Sequence, residues 1–105
     1  MRARFQVVGG PAAGSQLLIE KLPALLGRAA SADLVLDDPW VSRCHCELCE
    51  DQGQLVVRDR GSLHGTLLNG RAVREAVIQR GDRLGVGLTT LVASYVPAKS
   101  RSVSR

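Results

Sequence analysis

Apolar residues in this chain never run far before a turn residue stops them, and that punctuation is the strongest limit on what it can fold into. Residues 4–8 end at Gly9-Gly10-Pro11, residues 16–20 precede Pro23, and residues 34–36 meet Asp37-Asp38-Pro39. Residues 44–49 close on Glu50-Asp51-Gln52-Gly53, residues 54–58 on a loop holding Gly61-Ser62, and residues 66–68 on Asn69-Gly70. Short segments bounded by Gly, Pro, Asn and Asp read as strands joined by turns. Asn69-Gly70 is the sharpest of these signals, because a two-residue type I′ hairpin turn needs positive φ at both central positions.

Only residues 71–79 could pass for a helix, since Ala72, Val73, Ala76 and Val77 fall at helical spacing. The stretch is bracketed by Gly70 and Gly81, so a short strand followed by a connecting loop is expected instead. Residues 88–96, rich in Thr, Val and Tyr, read as a final strand. From residue 97 onward the chain is small, polar and basic, the composition of a disordered tail. Many short strands without a helical pattern imply one all-β domain over residues 1–96, an antiparallel sandwich or barrel whose end loops can carry a site.

Composition narrows the function. With 105 residues, 45% of them hydrophobic and 23% charged, the chain is that of an ordinary globular domain. No apolar run approaches the length that spans a bilayer, and residues 1–8 lack the pattern of a secretory signal, so a cytoplasmic protein without membrane contacts is expected. Cys44, Cys46 and Cys49 are odd in number and crowded together, which does not make a disulfide framework. The net charge of +4 suggests nucleic acid, yet Lys99, Arg101 and Arg105 lie in the tail, leaving 11 basic against 10 acidic residues over residues 1–96. One Phe, one Tyr and one Trp supply no stacking platform either. Nucleic acid is not an expected partner.

Three loops hold polar residues that strand building does not require: Gly27-Arg28, then Val41-Ser42-Arg43-Cys44-His45, then Asp59-Arg60-Gly61-Ser62-Leu63-His64-Gly65-Thr66. Singly, each has a bland reading. Arg28 could be a solvated charge, Ser42 a turn cap, Asp59 with Ser62 a self-contained loop, and Gly65 or Gly70 a supplier of positive φ. Their order and spacing say more. Gly27-Arg28, Ser42-Arg43-x-His45, Asp59-x-Gly61-Ser62-x-x-Gly65-Thr66-x-x-Asn69-Gly70 and Gly81-Asp82-x-Leu84-x-x-Gly87 together resemble the forkhead-associated (FHA) domain, over about residues 4–96.

That resemblance implies a sandwich of two twisted antiparallel sheets whose loops at one end bind phosphothreonine in an extended peptide, and hence a partner marked by a Ser/Thr kinase. It assigns phosphate contacts to Arg28, Ser42 and Arg43. The chemistry agrees, since a phosphate monoester carries about −1.5 to −2 charges and calls for fixed donors and positive charge. Arg28 offers a planar fork, Ser42 a hydroxyl, and Arg43 a backbone N–H or side chain. His45 is expected to support the Ser42 loop inside the fold, Gly65, Thr66 and Asn69 to shape the third loop, and Asp59 with Gly81-Asp82 to hold structure. Where the family commonly has Asn to bond the peptide backbone, this chain has His64, which cannot reproduce the paired donor and acceptor of an amide. Leu63 replaces a small polar residue, and Trp40 is expected at the rim as an apolar wall for the peptide.

Other readings are weaker. Three thiolates and His45 are an allowed zinc set, but on one extended strand Cys44, Cys46 and Leu48 would face one side and His45, Glu47 and Cys49 the other. No nucleophile elbow or nucleotide loop surrounds Ser42 and His45, so neither catalysis nor a cofactor is expected. Arg80-Gly81-Asp82 spells an adhesion tripeptide, yet its Gly-Asp pair already has a place in the family pattern. The alternative within the fold is a scaffolding domain that contacts partners without phosphate.

Overall fold

Alternation of side chains builds the architecture. The computed structural model describes residues 1–97, so the tail expected to be disordered lies, apart from Pro97, outside the described residues. Strand β1 (Ala3–Gly9) turns Ala3, Phe5 and Val7 inward, each at most 1% exposed. It is followed by β2 (Gln16–Ile19), β3 (Ala24–Gly27), β4 (Leu34–Val35), β5 (Cys46–Asp51), β6 (Gln54–Asp59), β7 (Thr66–Leu68), β8 (Arg71–Val73), β9 (Glu75–Ile78), β10 (Arg83–Val86) and β11 (Thr89–Tyr95). Six of them form one sheet in the order β2-β1-β11-β10-β7-β8, and five the other in the order β4-β3-β5-β6-β9. Phe5, Leu84 and Leu91 from the first sheet meet Leu26, Leu48, Leu55 and Ile78 from the second in one apolar core.

The all-β sandwich expected from the sequence is the fold. Pairing is antiparallel throughout the described sheets except between β3 and β4, which run parallel. The Asn69-Gly70 turn is as expected, with φ of 52° and 82°, and it joins β7 to β8.

Four details differ from the sequence reading, the first being that Ala24–Gly27, just past Pro23, forms a strand the turn punctuation did not mark. Residues 71–79 form two strands rather than one strand and a loop. Val73 pairs with Thr66 in the first sheet, and from Glu75 onward the chain pairs with β6 in the second. Arg74 is the crossover, its carbonyl accepting the Asp59 N–H. Strand β10 falls within a segment read only as a motif, because Gly81, Gly85 and Gly87 mask its two inward residues, Leu84 and Val86. Finally, β5 begins at Cys46, not Cys44. Cys46 and Leu48 are buried, but Cys44 is exposed and shares no strand face with them.

Phe5 is wholly buried and is the largest side chain in the core. Replacing it by Ala is expected to cost about 3–5 kcal/mol of unfolding free energy through lost transfer energy and the cavity left behind. Urea unfolding followed by circular dichroism measures this directly.

Candidate functional site

The polar loops meet because one residue has no side chain. Gly27 ends β3, and a Cβ there would stand 1.9 Å from the Arg43 carbonyl oxygen and 2.8 Å from its carbon. Glycine therefore lets two backbones lie in contact. The Arg28 N–H donates to the Ser42 carbonyl at 3.0 Å, and the Ala29 N–H donates to the Arg43 carbonyl at 3.2 Å. These bonds place Arg28, Ser42 and Arg43 side by side.

Each side chain is then held in its own way. The Arg28 Nε–H donates to the Val41 carbonyl at 3.1 Å, and among the described residues no carboxylate pairs with the terminal nitrogens of this exposed guanidinium. Ser42 Oγ accepts the Leu63 N–H at 3.0 Å, which leaves the hydroxyl proton available to an incoming acceptor. Arg43 is exposed, with its carbonyl committed to Ala29.

His45 is wholly buried. Its Nδ1 accepts the Ser42 N–H at 3.0 Å, and its Nε2 lies 2.8 Å from the Gly65 carbonyl. An acceptor on one side and a carbonyl on the other define the neutral tautomer with the proton on Nε2. The imidazole is thus a strut between the second and third loops.

Asp59 organises the third loop from its base. One carboxylate oxygen accepts the N–H groups of Gly61 and Ser62 at 2.9 and 3.1 Å, and the other accepts the hydroxyls of Ser62 and Thr66 at 2.6 and 2.7 Å. Burial alone would raise its pKa, but the bonds from Ser62, Thr66 and Gly61 outweigh that and hold the carboxyl below its ordinary value. Gly65, at φ +83°, turns the loop into β7. Asn69 is placed otherwise than expected. It lies at the opposite end of β7, bonding Asp82 through its amide nitrogen at 3.1 Å and the Arg83 N–H through its oxygen at 2.9 Å, so it shapes the far hairpin and not the third loop. The other Asp82 oxygen accepts the Gln79 N–H at 2.7 Å; the tripeptide at residues 80–82 thus has its carboxylate committed within the fold.

The sequence reading missed Asp38. It is wholly buried beneath the second loop, accepting the Trp40 N–H at 2.9 Å, the Leu88 N–H at 2.8 Å and the Thr89 hydroxyl at 2.7 Å. Desolvation opposes its charge, but bonds from Thr89, Trp40 and Leu88 prevail and lower its pKa. The turn to Trp40 was legible in Asp38-Pro39-Trp40, whereas the reach to Leu88, 50 residues on, was not. Gly87, at φ +63°, fits under this loop, where a Cβ would meet Val41 Cγ2 at 2.8 Å.

At the rim Trp40 is 50% exposed and packs its ring on His64, with centroids 4.6 Å apart and planes tilted by 41°. Leu63 is 82% exposed. Cys46 and Cys49 are buried in β5, and Cys44 is exposed in the second loop. Burial pushes the Cys46 thiol up to about 12, with Asp59 adding to the effect and Thr66 opposing it, the reverse of what a thiolate ligand needs. Among the described residues no three His, Cys, Asp or Glu side chains stand together as a metal site.

Ionised Asp59 and Asp38 make a prediction about acid. A folded-state pKa below the unfolded value contributes stability above the unfolded pKa, which is lost as pH falls through the folded one. The parent should lose stability as pH drops below about 4. Asp59→Asn, which turns an amide nitrogen toward donors, should cost about 1–3 kcal/mol near neutral pH and show a shallower acid slope. Urea unfolding between pH 2.5 and 6, a range chosen to bracket about one carboxylate titration, tests both.

Comparison with known proteins bears on this arrangement. A family model described as "FHA domain" matches residues 24–87. The glycogen accumulation regulator GarA of Mycolicibacterium smegmatis is 41% identical over 102 residues, covering 97% of this chain and 65% of that protein. The oxoglutarate dehydrogenase inhibitor of Corynebacterium glutamicum is 38% identical over 97 residues, covering 92% and 68%. Across the curated relatives this chain spans 56–68% of their length. Among solved structures, the FHA domain of an Arabidopsis thaliana hypothetical protein superposes with a TM-score of 0.81 at 28% identity over 96% of this chain and 91% of its own. The FhaA FHA domain, solved in complex with the intracellular domain of Rv3910, gives 0.76 at 26% identity over 86% and 97%.

Proposed function

Because the chain belongs to the FHA domain family, a family that binds phosphothreonine peptides, we propose that it is a phosphothreonine-dependent recognition module of Ser/Thr kinase signalling, that it acts in the cytoplasm and that it has no catalytic activity of its own. The observation that carries this reading is the prearranged set of donors at Arg28 and Ser42. Arg28 is steered by its Nε bond to Val41, and Ser42 Oγ by the Leu63 N–H. Neither group has to be reorganised when a phosphate docks. The cost of ordering long side chains, which weakens most exposed ion pairs, is thereby reduced.

In this mechanism the Arg28 fork takes two phosphate oxygens, the Ser42 hydroxyl donates to a third, and Arg43 adds positive charge from the adjoining position. Charge-assisted bonds of this kind contribute about 1.5–3 kcal/mol each. The peptide runs across the third loop, where Leu63 and His64 meet it. Trp40, stacked on His64, forms an apolar wall beside the residues that follow the phosphothreonine. His45, Gly65 and Thr66 act through the loop geometry and do not touch the ligand. The names of the relatives suggest a protein that regulates metabolic enzymes, with the phosphorylated protein and its kinase as partners.

Arg28→Ala should weaken binding of a phosphothreonine peptide by about 100-fold or more, the loss of two charge-assisted bonds, while leaving the thermal unfolding midpoint in place. Calorimetric titration with phosphorylated and unphosphorylated versions of one peptide tests this, and equal affinity for the two would end the proposal.

Trp40 is the one tryptophan of the chain. Its emission should shift to shorter wavelength as a phosphopeptide with a large apolar residue after the phosphothreonine saturates the site, and should move less when that residue is Ala. A flat signal in both titrations would remove Trp40 from the contact surface.

A further inference from the structure

At the end of β1 remote from the loops, a group of exposed side chains is used neither by the core nor by the phosphate site. In the register of the six-stranded sheet Arg4 pairs with Leu18 of β2 on one side and with Tyr95 of β11 on the other, where a bulge between Arg4 and Phe5 shifts the β1–β11 register. Leu18 directly opposes Arg4 and so projects from the same face, and Tyr95 across the bulge lines the same groove as both. Ala3 and Phe5 point into the core, so the row Leu18, Arg4, Tyr95 faces outward. Leu18 is 50% and Tyr95 46% exposed. Beside the row lies a groove of about 750 Å³ that Gln16 and Pro97 help to line.

Of the three residues in this row only Arg4 is charged. Among the described residues no carboxylate lies within ion-pair distance of Arg4, and none lines the groove. The neighbouring Arg2 is paired with Glu20 at 3.2 Å. A lone guanidinium flanked by an aliphatic and an aromatic side chain has the makeup of an interface anchor, where Tyr and Arg are enriched. The face is also separate from the loops. The other end of β1 runs into Gly10, which sits against Leu88 and Thr89 beside the phosphate site. Six residues of strand span about 20 Å, farther than the few residues flanking a phosphothreonine reach.

We propose that the Leu18–Arg4–Tyr95 face is a second docking surface, which takes an acidic and apolar segment of a partner protein. A carboxylate of that segment sits on the Arg4 guanidinium, and apolar side chains on either side cover Leu18 and Tyr95. The surface works whether or not the loops hold a phosphate.

The probe is the synthetic peptide acetyl-Glu-Leu-Asp-Phe-Glu-Leu-amide, with a counterpart in which Lys replaces each acid. Each is titrated to millimolar concentration into the full ¹⁵N-labelled chain. The acidic peptide should shift the amides of residues 2–6, 16–19 and 93–95, saturably and more weakly at high salt, and the lysine peptide should not. Arg4→Glu should weaken this binding by about fivefold or more while leaving the thermal midpoint and the affinity for a phosphothreonine peptide unchanged. Leu18→Ser, at an exposed position, provides a second variant and should weaken it as well. The proposal is overturned if the acidic peptide leaves these amides unmoved, if the lysine peptide moves them equally, or if both variants bind as the parent does.

Discussion

Two backbones touch at Gly27, and the geometry of the binding end follows from that contact. No side chain can be accommodated between β3 and the carbonyl of Arg43, where a Cβ would come within 1.9 Å. With nothing there, the N–H groups of Arg28 and Ala29 reach the carbonyls of Ser42 and Arg43. The guanidinium and hydroxyl proposed to hold phosphate are therefore set by the main chain, and their separation does not depend on long flexible side chains finding one another.

Buried and half-buried polar groups then fix the loops relative to the sheets. His45 ties the Ser42 N–H to the Gly65 carbonyl, Asp59 gathers four donors from the third loop, and Asp38 anchors the second loop to the β10–β11 turn. Each sits where an unpaired polar group would be costly, and each is satisfied. Loops made this way cannot move independently of the sandwich. A surface that must recognise a small, highly charged group gains from that stiffness, because few degrees of freedom remain to be frozen on binding.

Much of this was legible in the residues. Turn punctuation gave most of the strands, and the spacing from Gly27-Arg28 through Ser42-Arg43-x-His45 to Gly65-Thr66 identified the family and the loops that come together. What escaped were features whose partners lie far along the chain. Asp38 looked like a turn residue because its bond to Trp40 is local, while its bonds to Leu88 and Thr89 cross some 50 positions. The family resemblance put Asn69 with the third loop, yet three strand residues carry it to the other end of β7, where it meets Asp82. The second half of residues 71–79 read as a connecting loop because nothing local signals that Arg74 passes the chain from one sheet to the other, where it pairs again as a strand.

The sequence by itself determined the class of fold, the approximate bounds of most strands, the positive-φ turn at Asn69-Gly70 and the loops that hold Arg28, Ser42 and Arg43. Those properties depend on period, local conformational preference and spacing, all of which act over a few residues. Only the tertiary structure decided which carboxylate lies buried under the second loop, that His45 spans two loops, that Trp40 rests on His64, and that Leu18, Arg4 and Tyr95 form one row. Each of these is a contact between segments brought together by strand order, and strand order is settled by how the whole set of apolar faces closes around a single core.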